Sequence, residues 1–346
     1  MTRPVRVSLA ILGLLIAAGL AASAAWYSGA RALRGQIDDW ADAQRANGYT
    51  IDYAAPRIDG FPLHYRIAAM DAKLGGTTAD GTAWQWRGPL VRAEARPWRP
   101  SEITVYLPPE QETVFERDGR AVRLPTRMKD GVVRLDLRRS REAMRLDARD
   151  VTVSLPADRQ AAAESVQIHL VRPEPDPALP PPPTLAVDVR VDRLTLPAGT
   201  DNPFGPEVAV LALAADLFGR LPAQATRPAL AAWRDSGGRA TIHNVTVATG
   251  PARIDAEGTV ALDETEQPVA NLDARIAGHR AILSAMADRG VVARDHVNSI
   301  GFVLDLLAKA PAGGGPPVLE VPVKVRGGQL YAGPVPIAPI PPIFWD

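Results

Sequence analysis

Residues Val7 to Ala30 form an unbroken charge-free run, bracketed by Arg6 and Arg31. An α-helix rises about 1.5 Å per residue, so about 20 apolar residues cross a hydrocarbon core and this run is long enough. Leu9, Ile11, Leu12, Leu14, Leu15, Ile16 and Leu20 would supply most of the insertion energy, each roughly 0.3–0.6 kcal/mol near the bilayer centre. Trp26 and Tyr27 stand where an interfacial aromatic pair belongs. A cleaved signal peptide is the competing reading, with Ala22-Ser23-Ala24 as a small-residue cleavage site and Arg3 and Arg6 as the charged start. A buried soluble helix is a third. Length and the Trp-Tyr exit favour an uncleaved anchor. Arg31, Arg34 and Arg45 follow the run, so the positive-inside bias is weak. A short N-terminus before a large domain is nevertheless the usual signal-anchor layout. The expected topology is residues 1–6 in the cytoplasm, 7–30 as a single pass through the inner membrane, and the large domain in the periplasm.

Beyond Asn47-Gly48 the apolar period changes from helical to two. Ile103/Val105/Leu107, Val133/Leu135/Leu137, Val166/Ile168/Leu170 and Val321/Val323/Val325 all alternate, as half-buried strands do. The 33 prolines disfavour long helices and suit edge strands and turns. There is no cysteine, which excludes disulfides, zinc-thiolate sites and thiol catalysis, so packing must stabilise the domain. Formal net charge is zero and calls for no polyanionic partner. The expected fold is mainly β, a large curled antiparallel sheet behind the N-terminal helix, with a few capping helices. Residues 31–172 form a first β half and 184–346 a second, with helices near 226–235 and 279–310. The proline-rich 173–183 is either a linker between the halves or a stiff loop within one continuous sheet.

Four segments share one irregularity. Leu146, Ala148, Val151 and Val153 recur at i, i+2, i+5 and i+7, as do Val189 to Leu196, Ala240 to Val247 and Tyr65 to Ala72. Strand side chains alternate faces, so one parity slip lies at each of Arg149-Asp150, Asp192-Arg193, His243-Asn244 and Ala68-Ala69. A β-bulge inside a long twisted strand restores the face; two short strands meeting at a tight corner are the alternative.

The layout resembles a proteobacterial family of unknown function, number 2125 in the series of such domains, over nearly the whole chain. The resemblance rests on the N-terminal anchor, Gly60-Phe61-Pro62 opening a strand, Trp233 with Gly237-Gly238, and the run Gly258-Thr259-Val260-Ala261-Leu262-Asp263. Ala332-Gly333-Pro334, continuing through Pro341-Pro342, completes it. The family carries no established activity, so it transfers no functional residues. The last third is also similar to the C-terminal part of AsmA-like envelope proteins, which are anchored in the inner membrane and associated with lipid handling. That likeness is an analogy.

Chemistry-bearing residues form no catalytic constellation, so no cofactor and no metal are expected. His64, His169, His243, His279 and His296 lack metal-ligand spacing, and HExxH and GxSxG motifs are absent. Asp263, Glu264 and Glu266 lack the central glycine of a calcium loop and read as a solvated turn. Gly313-Gly314-Gly315 is followed by no Lys-Ser or Lys-Thr and reads as a flexible connection. Asn244-Val245-Thr246 matches a glycosylation sequon but sits inside an inferred strand. Trp84, Trp86, Arg87, Trp98 and Arg99, with Arg92 and Arg96 between them, could touch a membrane interface among anionic headgroups. The bland reading is Arg stacking on Trp across a sheet. The functional expectation is a non-enzymatic envelope protein, structural or lipid-handling, whose partners are membrane lipids held by the anchor or in a groove. A periplasmic hydrolase and a protein-interaction scaffold are the alternatives; nucleic acid is not an expected partner.

Overall fold

The computed structural model describes residues 3–78, 81–117, 119–138, 141–174, 182–222, 226–290, 293–310 and 316–343. They build one eighteen-stranded antiparallel sheet. Helix α1 (Arg3–Ala46) runs without a break from the apolar segment into the domain. Strands β1 (Thr50–Asp52) and β2 (Arg57–Asp59) lie end to end along β3 (Tyr65–Thr77), which pairs with β4 (Ala83–Arg96). The sheet then divides. β5 (Arg99–Tyr106) and β8 (Asp130–Arg138) extend one half of β4, while β6 (Glu110–Arg117) and β7 (Arg120–Arg127) extend the other. Both branches rejoin on β9 (Arg141–Leu155).

From β9 the chain is a meander of neighbours. It passes through β10 (Arg159–Arg172), β11 (Leu185–Thr195), β12 (Glu207–Phe218), β13 (Arg239–Thr249), β14 (Ala252–Leu262), β15 (Pro268–Ala277) and β16 (Val318–Arg326). It ends with β17 (Gln329–Ala332) and β18 (Val335–Pro339). Pro336 and Pro339 lie within β18; proline cannot donate to a ladder and so blunts that edge. The proline-rich connection joins two strands that pair with each other, from Leu170–Val187 to Ser165–Asp192, so the sheet is continuous across it. Residues 175–181 of that connection, and Gly313-Gly314-Gly315, lie outside the described residues.

Helices occupy connections at the strand ends. α2 (Arg227–Asp235) joins β12 to β13, and α3 (His279–Asp288) and α4 (Val297–Leu307) join β15 to β16. Gly290, at φ +71°, punctuates the α3–α4 segment.

The parity slips take two forms. In β13 it is a bulge: Leu213 and Ala215 pair with Val245 and Ile242, so two steps on one strand face three on the other. In β9 and β11 one residue enters the left-handed region, Asp150 at φ +49° and Arg193 at φ +46°, and register is unchanged on either side. The slip expected at Ala68-Ala69 lies at Asp71, φ +52°. Aspartate tolerates that conformation because its short side chain bonds locally; an Ala-Ala pair has no such reason to kink.

α1 docks on β2 and β3. Trp26 and Leu33 are buried with Tyr65, and Ala30, Ile37, Ile58 and Ile67 pack around them. The Trp26 ring meets Phe61 edge-on at 5.7 Å, and its Nε1–H donates to the His64 carbonyl at 3.0 Å. Trp26 is therefore a packing residue rather than an interfacial one; Tyr27 remains 59% exposed. Leu12, Leu14, Ile16 and Leu20 are exposed along the helix. The side chains of Leu9, Ile11 and Leu15 lie outside the described residues. Among the described residues no helix is long and apolar enough to cross a membrane.

Candidate functional site

The pairing register lines up the apolar faces of successive strands. Starting on β3, one row reads Ile67, Ala93, Val105, Val133, Leu146, Ile168, Val189, Leu213, Val245, Ala256, Ala274 and Val321, each the direct partner of the next. No polar side chain interrupts it from β3 to β16. The adjacent row runs from Tyr65 through Ala95, Ile103, Leu135, Met144 and Leu170 to Val187 in the same way. Strands lie about 4.8 Å apart, so the apolar stripe extends on the order of 50 Å across the sheet. Its first strand lies under α1, because Tyr65 and Ile67 belong to the α1 contact.

Beyond the first strands, which α1 covers, the described residues of this face are only partly enclosed. The buried residues on it include Tyr65 under α1, Leu319 near the α3–α4 end and the small Ala95, Ala148, Ala215 and Ala274. Other large ones, such as Leu146, Ile168 and Leu213, are only half-buried, and no large side chain in the described residues is fully enclosed. The whole-molecule surface says the same. A compact protein of 37.0 kDa would expose about 13,600 Å², whereas this chain exposes 21,766 Å². A helix of α1's length adds roughly 3,000 Å² of the excess as a protruding cylinder. Near the strand ends Leu135, Leu137, Met144, Leu170 and Leu185, with Glu142 and Arg172 beside them, line a hollow of about 200 Å³.

The other face is polar and laced with ion pairs. Arg66, Glu94, Thr104, Arg134, Arg145, His169 and Asp188 form its matching row. Asp147 takes both Arg134, at 2.6 Å, and Arg145, at 3.1 Å. A hollow of about 530 Å³ is on this side, walled by Glu94, Arg134, Arg145, Glu102 and Asp136. Its acids are matched by arginines: Arg66 on Glu94, Arg99 on Glu102 and Arg138 on Asp136.

Burial raises the pKa of Asp255, but hydrogen bonds from Arg253 and from Thr246, at 2.7 Å, outweigh it and hold the carboxyl below its ordinary range. The hydrogen bond from Arg190 leads in lowering Asp192. A carboxyl depressed in the fold contributes stability above its unfolded pKa and loses it as pH falls through the folded value. The thermal midpoint should therefore hold down to about pH 4 and fall below it. The double variant Asp192→Asn, Asp255→Asn should start lower at neutral pH and show a shallower acid limb. An unchanged acid limb in melts taken across that range would refute this assignment.

The five residues Trp84, Trp86, Arg87, Trp98 and Arg99 do not form one surface. Trp84 and Trp86 pair with Gly76 and Leu74, and Trp86 donates to Gln111 at 2.8 Å. Arg87 is next to them on the alternate side, bonded to Gln85. Trp98 and Arg99 lie at the other end of β4, some 40 Å along the strand at 3.3 Å per residue. Nearness in sequence misled here because a long strand separates residues that a turn would gather.

The motifs behind the family resemblance hold the backbone. Gly238 lies under the Trp233 ring, whose Nε1–H donates to the Phe218 carbonyl at 2.7 Å. Arg234 and Arg227 reach Glu266, a buried carboxylate, at 3.0 and 2.8 Å and so tie α2 to the turn after β14. Asp263 accepts from the Thr265 and Gln267 backbone and closes that turn, and Gln267 exchanges two hydrogen bonds with Ile343 of the tail. The acidic knot is thus a structural clamp. His279 is buried against Asp305 at 2.8 Å, His243 bonds Asp216, and the Asn244 sequon lies within β13.

No curated protein and no solved structure matches the chain. A family profile described as an uncharacterised protein conserved in bacteria matches residues 26–341, from the tryptophan that docks α1 to the tail held by Gln267. The profile covers the sheet from edge to edge, and the chain belongs to the DUF2125 family.

Proposed function

We propose that this protein is a membrane-anchored, non-enzymatic envelope module whose sheet holds acyl chains along its apolar face. One observation carries the reading: an unbroken apolar row from Ile67 to Val321 whose large side chains beyond the α1 contact, such as Leu146, Ile168 and Leu213, stay half-buried. Each methylene moved from water onto such a face gains about 0.8 kcal/mol. The paired arginines and carboxylates opposite keep the outer face in water. A sheet of this many twisted strands curls, which would turn the stripe into a groove. α1 supports the same reading, since its charge-free segment leads directly onto the first strand of the row. In this reading α1 is the inner-membrane anchor and the sheet stands in the periplasm. The looser likeness of the last third to AsmA-like envelope proteins agrees with it by analogy.

Native mass spectrometry of the full chain, extracted in gentle detergent, tests the proposal. The expected spectrum carries phospholipid or fatty-acid adducts. Ile168→Glu puts a charge at the middle of the row and should lower adduct occupancy by at least about tenfold, since an unpaired charge against apolar groups costs more than 1.4 kcal/mol. Gln167→Glu, on the opposite face, should leave occupancy unchanged. A wild-type mass without lipid, or equal losses from both variants, would defeat the groove.

A further inference from the structure

The α3–α4 hairpin carries an apolar surface that the sheet does not use. In α4, Gly301 is buried and Val297 and Leu304 are half-buried against the protein. Asp305, the one charged residue of the helix, is held from α3 by His279 at 2.8 Å and by Arg280. At 100° per residue Phe302, Leu306, Val303, Leu307 and Ile300 share one arc of about 160° on the outer side, with Ser299 the one polar residue in it, at its N-terminal end. The five apolar side chains are 68, 77, 52, 59 and 37% exposed.

The size of this stripe argues for a protein cover. At about 100 Å² for each side chain, it leaves roughly 500 Å² of contiguous apolar surface in water, near the upper limit for a monomer. Two such stripes face to face cover roughly 1,000 Å² before any rim is counted, the size at which a specific interface begins. In strand register α4 lies away from the α1 contact. α1 enters at the Tyr65 end of β3, and the antiparallel register puts α3 and α4 at the opposite ends of β14, β15 and β16.

We propose that α4 is the contact between two copies of this chain, stripe against stripe across a two-fold axis. Such a contact is self-complementary, and antiparallel α4 helices oppose their dipoles favourably. The inference is independent of the lipid reading, because it uses a different surface and a different readout.

The full chain in gentle detergent should have the mass of a dimer in native mass spectrometry. Leu306→Glu should weaken the dimer more than about tenfold; because Leu306 is 77% exposed in the single chain, its thermal midpoint should match that of the wild type at dilutions where both are monomeric. The chain has no cysteine, so Leu306→Cys introduces a single thiol. A short bismaleimide should link that variant into dimers but leave Trp98→Cys, exposed at the far end of the sheet, monomeric. A wild-type monomer at every concentration overturns the proposal, as does a dimer indifferent to Leu306→Glu. So does a solvatochromic dye on the Leu306→Cys thiol that shifts only when vesicles are added, which would assign the stripe to a lipid surface.

Discussion

Gly258→Val should lower the melting temperature of the full chain by roughly 8–16 °C, from a loss of about 4 kcal/mol at 2–4 °C per kcal/mol for a large domain. The cause is local and twofold. Gly258 has φ +148°, a conformation L side chains rarely adopt, and holding one there costs about 1–3 kcal/mol. A Cβ at this position would also stand 2.1 Å from the Asn271 carbonyl oxygen and 2.8 Å from the Leu272 Cα, both backbone of the paired strand β15. Backbone cannot swing aside as a side chain can, so overpacking adds about another 1–3 kcal/mol. The close approach follows from the neighbour on the other side. β13 inserts an extra residue between Ile242 and Val245, and β14 bends against it at Gly258, the partner of Ile242. Gly199 is the control. Its φ is +82° with open space around the missing Cβ, so Gly199→Ala should cost about 1 kcal/mol. If Gly258→Ala and Gly199→Ala melt together, backbone crowding at Gly258 is not what the family motif protects.

Trp26→Ala should free α1 from the sheet, at a cost of about 3–5 kcal/mol for truncating a buried tryptophan. Trp26 is 6% exposed and touches Tyr65, Phe61 and the His64 carbonyl together. It also holds the helix where Gly29 passes against the Tyr65 hydroxyl, which a Cβ there would push aside. Hydrogen exchange would read the effect as lost protection between Leu33 and Ala46 and in β1 to β3, with β10 to β16 unchanged. Tyr27→Ala, removing a neighbouring but exposed ring, should cost under about 0.5 kcal/mol. Equal protection in the two variants would mean that α1 is held by something other than this cluster. Ile51 and Ala41, buried further along β1 and α1, are where to look next.

Much of the strand plan was legible because its signals are local. Alternation along ten residues reports a half-buried strand wherever it lies in the fold. The slips at Arg149-Asp150, Asp192-Arg193 and His243-Asn244 were visible for the same reason, since a parity change is written into five consecutive residues. Pro228 near the start of α2 and Gly290 after α3 marked helix limits by backbone chemistry alone. Ala68-Ala69 misled because alanine fits either face, so the pattern left the break undefined until Asp71 placed it.

By itself the sequence determined an all-antiparallel body behind an apolar helix, because side-chain period and the limits on proline and glycine are properties of single residues and their neighbours. It did not determine which strand pairs with which, and so could not show that Ile67, Leu146, Ile168 and Val321 share one row. The same alternating strand serves equally as half of a closed sandwich or as part of an open sheet. Only the tertiary structure decided that, by setting a register that stacks the apolar faces across β3 to β16 and covering its first strands with α1 while the large side chains beyond stay half-buried.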